Sequence, residues 1–221
     1  MGLNEKIIKI NDLITDHILS YVKGKQSVLV DLSGGHDTRV NLSILLKHDI
    51  SFITHSYELT KCDLKISGAI ADKYCLKRIV HAHGYDDVVK SLVDACDVRI
   101  HGGGYSEVMC VMHKMNRSYN VVKNTVGKCK NDGKFFSPAL EPDVIDAVLD
   151  IPLCYLLGGV IQKKLIGLNY PELLKFPFTF YDWRHYLLNR YYIYFANFLL
   201  NSYRIGNGRN LNENKKIKNL A

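Results

Sequence analysis

The stretch from residue 27 to residue 47 constrains this chain most. Ser27-Val28-Leu29-Val30-Asp31-Leu32 is a short β-branched run that reads as a buried strand, and Gly34-Gly35 breaks it. A helical pattern then runs from Thr38 to Lys47 through Val40, Leu42, Ile44, Leu45 and Leu46. A strand that turns through glycines into a helix calls for a crossover connection, because the helix must bring the chain back for a parallel neighbour. The unit recurs. Residues 50–57 read as a second strand and 63–76 as a helix, with Lys61 or Asp63 near its start. Residues 78–82 are a third strand, 85–96 a third helix, and 98–101 a short fourth strand that runs into Gly102-Gly103-Gly104. A helix over about 106–115 follows. This alternation predicts an α/β fold, a parallel sheet of about five strands flanked by helices with right-handed crossovers.

The ends differ in character. Ile7, Ile8, Ile10, Leu13, Ile14, Ile18, Leu19 and Val22 give residues 5–22 one apolar helical face, stopped by Gly24. From about residue 140 no strand pattern is evident, and 143–149, 153–166 and 183–202 read as helices. A chain of 221 residues with 47% hydrophobic side chains can bury one good-sized core. The expected organisation is a single domain over 1–205, made of an N-terminal helix (1–24), an α/β core (25–118) and a helical part (135–205). Residues 206–221 form a flexible basic tail.

Charge and cysteine usage narrow the function classes. The net charge is +7, but from Arg204 onward five basic residues face one acidic residue, so +4 of the excess lies between Arg204 and the end of the sequence. A basic end of that kind is more often a solubilising extension than a grip on nucleic acid. The six cysteines, at 62, 75, 96, 110, 129 and 154, include no pair two apart, so a zinc motif or thioredoxin-like site is not indicated. No apolar run approaches the roughly 20 residues of a membrane span. Met1-Gly2-Leu3-Asn4-Glu5-Lys6 reads neither as a signal peptide nor, with Lys6 in place of Ser or Thr, as a myristoylation site. A cytoplasmic protein without a membrane partner is expected.

The chemistry resides in Leu32-Ser33-Gly34-Gly35-His36-Asp37-Thr38-Arg39. In parallel α/β sheets, ligands bind beyond the C-terminal ends of strands, where this segment lies. Its glycines bring backbone N–H groups close to a ligand, and the helix that follows adds unpaired donors and the positive end of its dipole. Ser33 and Thr38 offer hydroxyl donors. Asp37 would repel a polyphosphate unless a cation stood between them, which implies magnesium. Neither G-x-x-x-x-G-K-[ST] nor G-x-G-x-x-G occurs at this turn.

The segment resembles the Ser-Gly-Gly-x-Asp-Ser pyrophosphate loop (PP-loop) of the N-type ATP pyrophosphatases, which cleave ATP between its α and β phosphates. Over about residues 25–180 the chain further resembles the synthetase domain of asparagine synthetase. His55-Ser56-Tyr57-Glu58 lies where that family approaches adenine and ribose. His101-Gly102-Gly103-Gly104-Tyr105-Ser106-Glu107-Val108 stands in place of a Ser-Gly-Glu-Gly-x-Asp-Glu loop. Residues 137–152, from Ser137-Pro138-Ala139-Leu140-Glu141 to Ile151-Pro152, resemble the family's Pro-Phe-Leu-Asp segment and the helix that ends in Leu-Pro.

The resemblance implies an adenine nucleotide alpha hydrolase-like, Rossmann-like three-layer fold. It also implies an ATP-dependent, AMP-forming ligase that adenylates a carboxylate and passes it to ammonia or an amine. Residues 32–39, with Ser56, His101, Gly102, Gly103 and Glu107, would bind nucleotide. Asp37 and Ser106 would hold magnesium, and Lys175 would be the late catalytic lysine beside Asp37, with Lys163 and Lys164 as the other candidates. Two departures stand out. The family's acidic residues at the third and sixth positions of the second loop fall on Gly103 and Ser106, which leaves Glu107. The glutaminase domain with its N-terminal cysteine has no counterpart here, so nitrogen would come from free ammonia, an amine or a separate glutaminase subunit.

Other features read more simply. His81-Ala82-His83 and His101 are strand-end histidines rather than a zinc site, which would need a further clear ligand. His36 occupies the variable position of the loop. Phe176, Phe178, Phe180, Tyr181 and Trp183, with Tyr191, Tyr192, Tyr194 and Phe195, read as core or as a partner surface. Together with the basic tail they motivate one alternative, a PP-loop enzyme that modifies RNA. The other alternative is a nucleotide-binding protein that kept the first loop and lost the second metal ligand.

Overall fold

The computed structural model describes residues 2–57, 61–81, 95–102, 135–151, 155 and 159–179. The run predicted as the first strand is the middle of the sheet. β1 (Val28–Asp31) pairs with β2 (Ile53–Tyr57) on one side and β4 (Val98–Ile100) on the other. β3 (Arg78–His81) extends one edge and β5 (Phe135–Phe136) the other, giving the order β3-β2-β1-β4-β5 with every pair parallel. The α/β class with a parallel sheet is therefore present. The fifth strand was not among the predicted ones, because two residues between polar neighbours carry no period to read.

Register sorts the side chains into two faces. Val28 stands opposite Val98 and Val30 opposite Ile100, while Ile100 stands opposite Phe136. Since neighbours along a strand alternate, Val28, Val30, Val98, Ile100 and Phe136 share one face. That face meets the helices. α1 (Leu3–Val22), α2 (His36–Lys47), α3 (Lys61–Lys73), α4 (Pro142–Leu149) and α5 (Val160–Asn169) all contribute to a core that includes these strand residues. The opposite face holds Asp31, His55, His81, Arg99 and His101.

The helices form where the sequence indicated, with shifted ends. α1 buries Ile7, Ile10, Ile14, Ile18 and Val22 along one stripe, and Glu5 accepts a hydrogen bond from the N–H of Gly2 at 2.6 Å. It closes at Gly24, whose φ of +73° suits glycine. Its Tyr21 ring stacks on Phe136 with centroids 4.2 Å apart, which ties α1 to the β5 edge. α4 starts at Pro142, one residue before the predicted 143–149, because proline fits the first helical turn. The predicted helix over 153–166 has its described part at Val160–Asn169, and it starts after Gly159 in the left-handed conformation. The helix expected over 106–115, most of that over 85–96, the helix over 183–202 and the tail at 206–221 lie outside the described residues.

All the described residues fall within one compact unit covering residues 1–180. Among them, no helix is long and apolar enough to cross a membrane. α5 packs along α2, α1 packs on α4 and α5, and this stack sets the position of the turn between β1 and α2. Ile14 is fully buried in the stack, whereas Ile8 on the same helix is 49% exposed. Ile14→Ala is expected to lower the unfolding free energy by about 2–5 kcal/mol. Ile8→Ala should change it by no more than about 0.5 kcal/mol, both measured by urea titration.

Candidate functional site

The N–H of Leu32 donates to His55 O at 2.7 Å, which carries the β1–β2 pairing one residue past β1 before the chain turns. The turn is held by its own side chains. Ser33 Oγ lies 3.1 Å from Thr38 Oγ1 and accepts the N–H of Gly35 at 3.1 Å, and the N–H of Ser33 donates to Thr38 Oγ1 at 3.2 Å. The two hydroxyls expected to serve a ligand thus brace the loop against each other. α2 begins at His36 with Gly35 as its N-cap, a residue with no side chain to make a cap bond. The N-terminal end of α2, with its positive dipole, therefore stands directly over the end of the central strand.

Gly34 is fixed on both sides of its peptide. Its N–H donates to Asp63 Oδ1 at 3.0 Å, and its carbonyl accepts the N–H of Thr179 at 2.9 Å and Arg39 Nη2 at 3.0 Å. Thr179 Oγ1 also donates to Asp63 Oδ1 at 2.6 Å. A Cβ at position 34 would collide with Thr179 Oγ1 and lie 3.1 Å from Asp63 Oδ1, so only glycine fits. Arg39, expected among the nucleotide-binding residues, is fully buried beneath the loop. Its guanidinium donates to the carbonyls of Leu173 at 3.3 Å and Phe176 at 3.0 Å, and to that of Pro177. Arg39 thus fastens residues 173–179 to the loop from behind. Burial lowers its pKa to about 10, so it stays charged at neutral pH.

The open side of the turn carries a mixed set of groups. Asp37 Oδ1 accepts a hydrogen bond from Gln162 Nε2 of α5 at 3.2 Å. The His36 ring stacks on Phe178 with centroids 4.1 Å apart, and the Arg39 guanidinium sits 3.9 Å from the centre of the same phenyl ring. Burial, then the nearby charges of Lys163 and Arg39, lower the His36 pKa to about 3. Lys163 is half-buried, with Nζ 5.6 Å from the Phe178 ring, and burial lowers its pKa.

On the β4 side of the turn, Asn41 Nδ2 donates to His101 O at 3.0 Å, and Gly102 packs on the first turn of α2. A Cβ at Gly102 would collide with Thr38 Cγ2 and lie 2.8 Å from Thr38 Cα. The first and second predicted loops are therefore in direct contact.

The structure brings together residues 32–39, His101 and Gly102. Ser56 is buried at the end of β2, and its Oγ has no hydrogen-bond partner among the described residues. Lys175 lies at the end of a 3₁₀ turn (Pro171–Lys175), where its ammonium pairs with Glu172 at 2.6 Å and its side chain is 73% exposed. Lys164 is exposed and bonds Asn4 Oδ1 at 3.4 Å. Of the three lysine candidates, Lys163 is the one whose charge acts on the loop, through His36. Gly103, Ser106 and Glu107 lie outside the described residues.

Sequence reasoning missed Asp31, Asp63, Gln162 and Thr179. Asp31 carried a signal, an ionisable residue inside an apolar strand run. The others are polar residues on helices or after a turn, and only long-range packing reveals their role. No family model matches the chain, and no curated protein matches it.

Two measurements probe this geometry. Arg39→Lys cannot serve the same carbonyls and should cost about 2–3 kcal/mol of stability in denaturant titration. An ordinary histidine takes up a proton near pH 6.5, whereas folded His36 resists until about pH 3. The unfolded chain therefore binds more protons across that window, and stability falls as pH is lowered through it. His36→Gln should flatten that part of the pH dependence, and an unchanged slope between pH 7 and pH 4 would contradict the assignment.

Proposed function

We propose that this protein is an ATP-dependent, AMP-forming carbon–nitrogen ligase of the asparagine synthase-like kind, built on an adenine nucleotide alpha hydrolase-like fold. The observation that carries the reading is the position of the turn at residues 33–38. In the order β3-β2-β1-β4-β5, the chain moves one way from β1 to β3 and then restarts on the other side of β1 at β4. The C-terminal ends of β1 and β4 are thus the topological switch point, the place where open parallel sheets take their ligands. The Ser-Gly-Gly-His-Asp-Thr turn and the start of α2 follow β1 there, and His101 and Gly102 follow β4 and pack against them.

In this reading a carboxylate oxygen of the substrate attacks the α-phosphorus of ATP, and pyrophosphate leaves. The nitrogen of ammonia or an amine then attacks the acyl carbon, AMP leaves with the electrons of the broken C–O bond, and the nitrogen gives up a proton to the departing phosphate or to water. The first-turn backbone of α2 holds the pyrophosphate, and Lys163 adds positive charge beside it. Magnesium ordinarily takes one or two carboxylates along with phosphate oxygens and water. Asp37 fits that requirement as the carboxylate at the loop, and among the described residues no group of three or more ligating side chains forms a closed metal cage. When bound, the ion would neutralise charge on the departing pyrophosphate.

Incubation with ATP, magnesium, ammonium chloride and a panel of carboxylates that includes L-aspartate should release AMP and pyrophosphate. Release of ADP, or failure to bind nucleotide, overturns the reading. Asp37→Asn should slow AMP release by about 100-fold or more. Lys163→Met should slow it at least about tenfold, while Lys175→Met stays within about threefold of the unaltered rate.

A further inference from the structure

α5 runs alongside α2 in the same direction, and contacts at both ends set their register. At the start, Gly159 precedes α5 in the left-handed conformation with φ +69°, and a Cβ there would lie 2.9 Å from three atoms of the His36 ring. Near the finish, Lys47 Nζ donates to Asn169 Oδ1 at 3.1 Å and to the Leu168 carbonyl at 3.4 Å. Ile161, Leu165 and Ile166 are buried between these ends. Gln162 is the polar residue set among them, and its Nε2 donates to Asp37 Oδ1 at 3.2 Å.

Packing alone does not account for a glutamine here. Gln162 is 3% exposed, and its Oε1 has no hydrogen-bond partner among the described residues. A buried amide oxygen left without a donor destabilises a fold, and a straight apolar side chain would fill the same volume without that cost. The amide takes one orientation, because turning it over would set Oε1 against the carboxylate. It also donates without bringing charge. Asp31 shows the contrast on the other sheet face, where Arg99 Nη2 lies 2.9 and 3.0 Å from its two carboxylate oxygens and compensates their charge directly.

We propose that Gln162 is a positioning residue that aims the Asp37 carboxylate at magnesium carried by the nucleotide. The inference rests on the magnesium role proposed above for Asp37. Octahedral coordination is strict about the direction from which a carboxylate approaches. The last torsion of an aspartate side chain has broad wells, so a hydrogen bond to one oxygen restricts the carboxylate plane. Here the donor stands on a helix fixed to α2 at both ends, and its neutrality preserves the negative charge that a divalent cation needs. Removing a group that orients a metal-binding side chain commonly changes metal affinity by about 10–100-fold.

Calorimetry on the full chain with α,β-methylene-ATP, which resists cleavage between those phosphates, tests this. Binding is measured with magnesium and with a chelator in its place, and the ratio of the two affinities is the gain due to the metal. The unaltered protein should show a gain that Asp37→Asn loses. Gln162→Met, which keeps the shape and drops the amide, should cut the gain about tenfold or more and leave the metal-free affinity within about threefold. Its urea midpoint should not fall, since the unmet Oε1 goes with the amide. A purely structural role would lower that midpoint and keep the gain. Gln162→Lys keeps a donor but neutralises the carboxylate, and a gain retained there overturns the proposal even if Gln162→Met does not fold. A gain that survives in Gln162→Met but not in Asp37→Asn overturns the role of Gln162 while the ligase reading stands. No gain in the unaltered protein overturns the magnesium role of Asp37 as well, and no binding of the analogue overturns the ligase reading with both.

Discussion

A guanidinium buried away from water is tolerable only if carbonyl oxygens replace its hydration, and Arg39 shows how that demand organises a site. Its partners are the carbonyls of Gly34, Leu173, Phe176 and Pro177. One end of the clamp holds the glycine turn in place, and the other holds the strap that follows α5. Asp63 and Thr179 complete the arrangement from α3 and from the end of the strap, so every polar atom of the Gly34 peptide is engaged by a distant element. The turn is stiff because the Gly34 peptide is tied down from behind, which leaves its front edge and the start of α2 to meet a ligand without rearrangement.

The polar cluster on the other sheet face follows a similar logic with different groups. Asp31 would be costly inside a sheet without charge compensation, and Arg99 on the adjoining strand supplies it with bidentate geometry. The β1–β4 register makes the pair possible. Leu29 stands opposite Arg99, so the arginine shares the face of Asp31 two residues along. Two carboxylates, Asp31 and Asp37, therefore bracket the same turn in unlike settings. One is sealed and ionised by its partners, and the other is half-buried at the start of a helix beside a glutamine.

How much of this could be read in the sequence depended on the range of the forces involved. Strands β1 to β4 and the helices α1 to α5 were legible because apolar periodicity is local, and the Ser-Gly-Gly turn because glycine and helix-start chemistry are local too. β5 escaped because Phe135 and Phe136 are too few to show alternation. Within the turn, the expected hydroxyl donors Ser33 and Thr38 bond each other, a contact that spacing alone could not reveal. Arg39 illustrates the same limit. Its charge suggested phosphate, but its burial is decided by a strap more than 130 positions later in the chain.

That separation also orders events during synthesis. Residues 27–47 can pair and coil as soon as β2 is made, yet the Gly34 carbonyl and the Arg39 guanidinium gain their last partners only when Pro177 and Thr179 have emerged. Contacts across so many residues carry a large loop-closure cost and form late. A nascent chain ending before the strap therefore holds the strand and helix of the turn without its rear support, so the loop matures last although it lies near the start of the sequence.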